Sequence, residues 1–229
     1  MTIPNHLVLI PDGNRRWARA HNLPAVMGHR QVVEKVFPKL VKKAITMGIS
    51  YFTIWGFSTE NWQRSQEEID GLLQLFDLFF DQYGQRLDEQ DVRIVCIGRR
   101  DNLEASLLKK ITTWEEKTKN NKKMQLTIAF NYGGRDEIVR AINKILSENK
   151  LKQIDEANFA QYLDTAVTAM PDPDLIIRTS GEQRLSGLMS WQAAYSELYF
   201  SQKTMPEWTE KDLEIAIDDF QQRERRYGK

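Results

Sequence analysis

Two rhythms of apolar residues alternate along the chain. Short, almost unbroken apolar runs occur at HLVLI (6–10), YFTIW (51–55), VRIVCI (92–97), MQLTIAF (124–130), LIIR (175–178) and ELYF (197–200). Runs of this length predict strands, most of them buried on both faces. Between them the spacing shifts to three and four. Val32, Val33, Val36, Phe37, Leu40, Val41, Ala44 and Ile45 predict a helix that Gly48 closes. Further helices are expected over 66–87, 101–119 and 135–148, and from a cap at Asp155 through Leu163. A last helix opens at Thr209, with Asp212 three residues on, and runs to about Arg225.

This order predicts an α/β fold: a single domain over residues 1–229, with a central, mostly parallel six-stranded sheet flanked by helices. The chain shows no internal repeat, and the linker-like stretches at 148–155 and 164–173 are too short to separate domains.

Composition narrows the picture. With 32 basic and 32 acidic residues the formal net charge is zero, so no global field draws in nucleic acid or an anionic membrane. One cysteine, Cys96, excludes an internal disulfide and suits a reducing cytosol. The N-terminus lacks the basic-then-apolar pattern of a signal peptide, and no apolar run reaches membrane-spanning length. A cytoplasmic protein is expected.

The unusual residues gather just after strands. They are Asp12-Gly13-Asn14-Arg15-Arg16-Trp17, the stretch from Gly56 to Arg64, Asn131-Tyr132-Gly133-Gly134-Arg135, and Arg178 with the segment to Ser186. In open parallel sheets, ligands bind beyond the carboxyl ends of the strands. Arg16, Arg64, Arg178 and Arg184 would converge there. Unpaired buried charge is costly, so these guanidinium groups call for an anion with several oxygens, and their forks match phosphate. Gly13 permits close backbone approach, and Asp12 fits a magnesium ion bridging to phosphate oxygens. Each feature alone has an ordinary reading. An Asp-Gly pair is usually a turn, Gly133-Gly134 a tight turn, Trp17 and Trp62 core residues, and His29 a satisfied structural histidine. Their convergence favours a site for phosphates and a metal, diphosphate foremost.

A second feature is apolar. Ile69, Leu72, Leu73, Leu75, Phe76, Phe79, Phe80 and Tyr83 give the 66–87 helix a wide apolar face. It is either plain core or the wall of a hydrophobic tunnel. A diphosphate crevice opening on such a tunnel suits an amphiphile with a hydrocarbon tail. The Walker A, GxGxxG and DDxxD patterns are missing; Asp218-Asp219 is followed by Gln222 where a third aspartate would stand.

From about residue 5 to 228 the chain resembles the cis-prenyltransferases, the undecaprenyl diphosphate synthase family. The likeness rests on PDGNRRWA, Gly28-His29, FSTENWQR (57–64), NYGGR (131–135), RTSGEQRLS (178–186), WQAAYSELYF (191–200) and RERRYG (223–228), all in order. It implies a parallel sheet with a hydrophobic tunnel, a homodimer, and condensation of isopentenyl diphosphate onto an allylic diphosphate to give cis double bonds. By the resemblance, Asp12 is the Mg2+ ligand, assisted by Glu197. Gly13, Asn14, Arg15, Arg16, Trp17 and His29 hold the allylic diphosphate. Ser58, Thr59, Glu60, Trp62 and Arg64 line the junction of the two substrates, with Asn61 placed to help remove the proton. Arg178, Arg184, Leu185 and Ser186 grip isopentenyl diphosphate, and Arg226 and Gly228 reach the diphosphate site. An undecaprenyl product for a cell-wall carrier, made by a cytoplasmic enzyme with peripheral membrane contact for product release, is the default expectation.

The chain departs from the family pattern at three places. Ala25 stands where an arginine is usual, Val32 replaces a glycine, and Arg15 replaces another glycine. Arg15 or Arg30 is expected to supply the missing charge. Phe79, Phe80 and Tyr83 are expected to close the tunnel and set product length.

Overall fold

The computed structural model describes residues 2–149 and 153–223. The strands are β1 (His6–Ile10), β2 (Tyr51–Ser58), β3 (Val92–Ile97), β4 (Met124–Tyr132), β5 (Leu175–Arg178) and β6 (Glu197–Phe200). They form one six-stranded sheet in the order β3-β4-β2-β1-β5-β6, and every neighbouring pair is parallel. All six lie where the apolar runs predict them, with β2 and β4 running on past 55 and 130. The order of strands reverses beside β1, which has β2 on one side and β5 on the other. Such a reversal spreads the loops that follow the strands and leaves a crevice.

The helices are α1 (Asn14–Ala20), α2 (Ala25–Gln31), α3 (Phe37–Met47), α4 (Gln66–Glu89), α5 (Ala105–Thr118), α6 (Gly134–Glu148), α7 (Glu156–Ala160) and α8 (Glu210–Gln222). Gly48 ends α3 with φ 81°, as its place in the sequence suggests. Asp155 caps α7 by accepting from the Asn158 amide at 2.8 Å, and Thr209 caps α8. The helix expected from Val32 instead begins at Ala25 and passes through a π-helical turn, Val32–Val36, before Pro38. The imino nitrogen of Pro38 cannot donate to the Glu34 carbonyl four residues back. Tyr83 on α4 supplies the missing donor, its hydroxyl lying 3.0 Å from the Glu34 carbonyl. Burial and Glu34 raise the Tyr83 pKa, so the hydroxyl keeps its proton.

Strand alternation divides the core. Leu7, Leu9, Phe52, Ile54, Leu126 and Ile128 face α3, α4 and α8, whereas Val8, Ile10, Ile97 and Ala129 face Leu188 and Met189. The border strand β3 does not leave its outer amides open. The N–H groups of Ile94, Cys96 and Gly98 donate to Thr118, Glu115 and Asp164 side chains at 2.9, 2.9 and 3.0 Å.

His6 is fully buried in β1. Its Nδ1–H donates to the Pro171 carbonyl (2.7 Å), and Nε2 pairs with the Thr53 hydroxyl (2.8 Å). Burial pulls its pKa from 6.5 down to about 4. The unfolded chain takes up this proton below about pH 6.5 and the folded chain only below about 4, so stability is lost as pH falls through that window. The loss amounts to as much as about 3 kcal/mol. Denaturant midpoints measured from pH 7.5 to 4.5 should therefore decline less steeply in His6→Gln than in the natural chain. Parallel declines would exclude His6 as the source.

Candidate active site

The parallel pairing of β1 with β5 sets Ile10 opposite Arg178. Two residues later the chain delivers Asp12 to the same place. The Asp12 carboxylate accepts from Arg178 Nη2 at 2.8 Å and from the Gly13 amide at 2.6 Å. Thr179 ties the two loops together, accepting from the Asp12 amide and donating to the Asp12 carbonyl, each at 2.8 Å. Arg178 is 6% exposed, and its other Nη donates to Ser186 Oγ at 2.8 Å and to the Arg184 carbonyl. Asp12 is one-third exposed, so its carboxylate also faces the crevice.

Close backbone approach makes this possible. Gly13 has φ 90°, and a Cβ there would lie 2.7 Å from Ser180 Cβ and 2.8 Å from Thr204 Cβ. A Cβ on Gly28 would lie 2.0 Å from the Asn14 carbonyl oxygen, so Gly28 lets α2 press against the start of α1. The loop after β5 holds Ser180 at φ 79° and Ser186 at φ 52°, a strained geometry of the kind found at functional sites. The loop after β6 supports it, with the Ser180 amide donating to Lys203 and the Met205 amide to Asp12.

The crevice is an open cleft of about 890 Å3, counting the solvent space at its mouth, and is lined by Asp12, Gly13, Asn14, Arg15, Arg16, Arg19, His29, Arg64 and Arg184. Two acids organise its arginines. Glu68 of α4 pairs with Arg64 at 2.6 Å and Arg15 at 3.6 Å; Glu182 pairs with Arg184 at 2.5 Å and Arg16 at 3.5 Å. Arg16 also donates to the Ser180 carbonyl and hydroxyl. His29 is neutral: burial, then Arg64 and Arg15, bring its pKa down to about 3 against the opposing pull of Asp12. Three of the four buried side-chain polar atoms without a partner among the described residues are Asn14 Oδ1, His29 Nε2 and Arg178 Nε. Unsatisfied buried groups cost about 1–3 kcal/mol each. Their grouping around Asp12 fits a polyanion bound with a cation.

A second, apolar cleft of about 620 Å3 adjoins the crevice. Val32, Val33, Phe37, Ile54, Leu72, Leu75, Phe76 and Phe79 line it, so the α4 face serves partly as a tunnel wall. Pro11, Asn14 and His29 line both spaces.

Other expected site residues lie elsewhere. Ser58 and Asn61 cap each other, Asn61 Oδ1 accepting from the Ser58 amide at 3.1 Å. Thr59 abuts Gly133, Glu60 is exposed, and neither Thr59, Glu60 nor Asn61 lines the crevice. Trp62 donates to Asn131 at 2.8 Å and packs edge-on against Phe57, and Trp17 stacks on His21 with centroids 4.2 Å apart; both are half-buried. Leu185 packs on the second core face. Glu197, expected beside Asp12 as a metal ligand, is placed within this chain by the sheet register. It pairs with Leu175, itself opposite Leu7, so it sits at the start of the strands while Asp12 follows their ends. At about 3.3 Å per residue the separation along the sheet exceeds ~10 Å. The Glu197 carboxylate binds Arg223 at 2.8 Å. Arg226 and Gly228 lie outside the described residues. Among the described residues no cluster of three or more His, Cys, Asp or Glu forms a protein-only metal cage.

Three contributors escaped the sequence reading. Arg19 lies one helical turn beyond Arg15 and Arg16, a spacing that points to it. Glu68 lies in no motif, and Glu182, though inside RTSGEQRLS, was given no role there. The Gly134 amide donates to the Gly187 carbonyl at 2.8 Å, and Gly134 has no room for a Cβ, which would meet that oxygen at 2.5 Å. Gly134 thus anchors the loop of Arg184 and Ser186, while Gly133 is extended, with φ −143° and ψ 130°.

An arginine-lined crevice at strand ends beside an apolar cleft suits an amphiphile with an anionic head. Residues 10–228 match the family described as "Putative undecaprenyl diphosphate synthase". The chain is 46% identical over 231 residues to an isoprenyl transferase of Thermotoga maritima, spanning 100% of this chain and 98% of that one. It is also similar to the crystal structure of lavandulyl diphosphate synthase from Lavandula x intermedia in complex with dimethylallyl diphosphate (TM-score 0.95, 36% identity, 99% of each chain). A probable undecaprenyl diphosphate synthase from Campylobacter jejuni gives a TM-score of 0.84 at 35% identity over 100% of each chain. The chain belongs to the undecaprenyl diphosphate synthase family and is a prenyl-transferring enzyme.

The Gly28 contact carries a direct test. Gly28→Ala must push α2 from α1 and move Asn14 and His29 off the crevice. Affinity for inorganic pyrophosphate, read by calorimetry, should fall at least tenfold with the fold retained by circular dichroism. Unaltered affinity would show that the contact does not shape the site.

Proposed function

We propose that this enzyme condenses isopentenyl diphosphate onto an allylic diphosphate, farnesyl or geranyl, in a Mg2+-dependent cis elongation. The observation that carries the reading is the seam at Pro11, Asn14 and His29, where the arginine crevice meets the apolar cleft. An allylic diphosphate laid across it has its head among Arg15, Arg16, Arg19 and Arg64 and its tail against Phe76 and Phe79. Isopentenyl diphosphate then belongs beside Arg178, Arg184 and Ser186. Arg15, not Arg30, supplies the charge that Ala25 lacks: Arg15 lines the crevice, whereas Arg30 is exposed and paired with Glu34 at 2.7 Å.

The chemistry follows from these placements. Guanidinium groups held by Glu68 and Glu182 stabilise negative charge growing on the departing diphosphate without moving. Asp12 would hold Mg2+ against the diphosphate oxygens, and the ion when bound supplies further charge neutralisation there. Neutral His29 can donate or accept at Nε2 without repelling a metal. The dry wall of Phe76, Phe79 and Phe130 shields the cation-like allylic carbon from water. Side-by-side binding of the two substrates supplies much of the acceleration through proximity.

The first reading of the product is undecaprenyl diphosphate, serving a cell-wall lipid carrier, made by a homodimer. A shorter product is the second reading. At roughly 30 Å3 per carbon-sized group, a chain of about 55 carbons needs on the order of 1,500 Å3, well beyond the 620 Å3 of the cleft. A non-catalytic partner subunit is disfavoured because Asp12, Arg178, Arg184 and Ser186 are all present and, through Arg178, interlinked.

Purified protein given radiolabelled isopentenyl diphosphate, Mg2+ and farnesyl or geranyl diphosphate should yield extended polyprenyl diphosphates, sized by chromatography. Asp12→Ala should lower the rate by at least 10³-fold, about 4 kcal/mol of transition-state stabilisation. Absence of any extended product from the natural chain overturns the proposal.

Product length has its own pair of substitutions. Phe79 lines the cleft; Phe80 is fully buried beside it and does not. Phe79→Ala should lengthen the product, whereas Phe80→Ala should leave the distribution alone and cost about 3–5 kcal/mol of stability. The same distribution from Phe79→Ala and the natural chain would rule out Phe79 as a length stop.

A further inference from the structure

An α-helical carbonyl takes its hydrogen bond from the N–H four residues on, and Pro38 has none to give Glu34. The chain meets this with the π-helical turn Val32–Val36, in which the Phe37 amide donates five residues back, to the Val32 carbonyl. One extra residue in a turn rotates the helix beyond it by about 100°. Before the turn, α2 brings His29 to the seam between crevice and cleft; after it, α3 opens with Phe37 in the apolar cleft. Val32 and Val33, inside the turn, line the wall between them. Turns of this kind are frequent at functional sites. The Tyr83 hydroxyl holds this one through the Glu34 carbonyl at 3.0 Å. The Tyr83 ring does not line the cleft. It is half-buried in the groove behind Phe37 and Phe79, with its centroid 5.7 Å from that of Phe79. Phe79 in turn lies 5.9 Å from Phe37. Tyr83 therefore ties the α4 wall of the cleft to the wall made by the turn.

We propose that Tyr83 is a positioning residue for primer selection. From outside the cleft its hydroxyl holds the π-helical turn, and the turn fixes where Phe37 stands relative to the seam at His29. The inference rests on the prenyl-elongation reading. Phe37 follows His29 by eight residues, about 12 Å of helix. A tail whose head is anchored at the seam meets Phe37 only when it is long enough. Geranyl diphosphate ends one isoprene unit before farnesyl diphosphate, so the farnesyl tail is the one that senses this wall. Without the hydroxyl, the Glu34 carbonyl loses its side-chain donor, the turn loosens and Phe37 no longer keeps one place. A ring acting as a plug, the role its place on the apolar face of α4 suggests, works through bulk. Tyr83→Phe keeps that bulk and removes only the donor, so it separates the two roles.

The test compares equilibrium affinities for geranyl and farnesyl diphosphate, read by calorimetry on the full chain without isopentenyl diphosphate. Farnesyl diphosphate should bind Tyr83→Phe about fivefold more weakly than the natural chain, the worth of one hydrogen bond. Geranyl diphosphate, which stops short of the wall, should bind the two proteins alike. In steady-state assays the KM for farnesyl diphosphate should rise more than kcat falls. A general loss of structure would weaken both primers together. Pro38→Ala in the Tyr83→Phe background returns an N–H four residues after Glu34 and so permits a straight α-helical turn. This double variant should recover the denaturant midpoint of the natural chain but not its ratio of farnesyl to geranyl affinity. An unaltered ratio in Tyr83→Phe overturns the proposal, as does a ratio that returns together with stability in the double variant. Failure of both diphosphates to bind the natural chain overturns the elongation reading and this inference with it, a result distinct from binding with an unaltered ratio.

Discussion

The mouth of the sheet is organised by one ion pair, Asp12 with Arg178. A guanidinium as buried as that of Arg178 is tolerable only with a partner and satisfied donors. Asp12, Ser186 and the Arg184 carbonyl supply them. The pair exists because β1 and β5 run side by side in the same direction, so their following loops leave from the same height. Break that register and the carboxylate, the strained loop from Ser180 to Ser186 and the wall of arginines no longer meet. Leaving Arg178 Nε unpaired costs stability in the free protein. A ligand that satisfies it recovers that cost upon binding.

The second organising element is a boundary in polarity. Pro11, Asn14 and His29 stand where charge stops and hydrocarbon begins. A histidine that stays neutral suits that boundary, because it offers a polar atom without bringing a charge to the apolar side. The contact of Gly28 with the Asn14 carbonyl brings the two helices close enough for one seam to serve both spaces. Head and tail of an amphiphile are thus sorted by the fold before any chemistry occurs.

Much of this was legible in the sequence, and the reasons for the rest are physical. The apolar runs located all six strands because most of them are buried on both faces, the border strand β6 being only half-buried. Helix α1 shows no apolar period, since NRRWARA has too few apolar residues. The π-helical turn depends on Pro38 meeting a hydroxyl from another helix, a tertiary event. Motif residues were placed correctly where they followed a strand end, as with Asp12 and Arg178. The height of Glu197 on β6 was not legible, because a motif gives spacing along the chain but not strand register. Phe79 and Phe80 differ by one position yet face different surroundings, which a single apolar stripe cannot distinguish.

Capping of β3 by Thr118, Glu115 and Asp164 has a consequence for the protein in concentrated solution. An uncovered border strand is a template on which another chain can crystallise into continuing cross-strand order. Here the template is blocked by groups belonging to the same molecule, two of them carboxylates. Sheet extension from that flank would require displacing them, so runaway stacking is disfavoured there even as molecules crowd together.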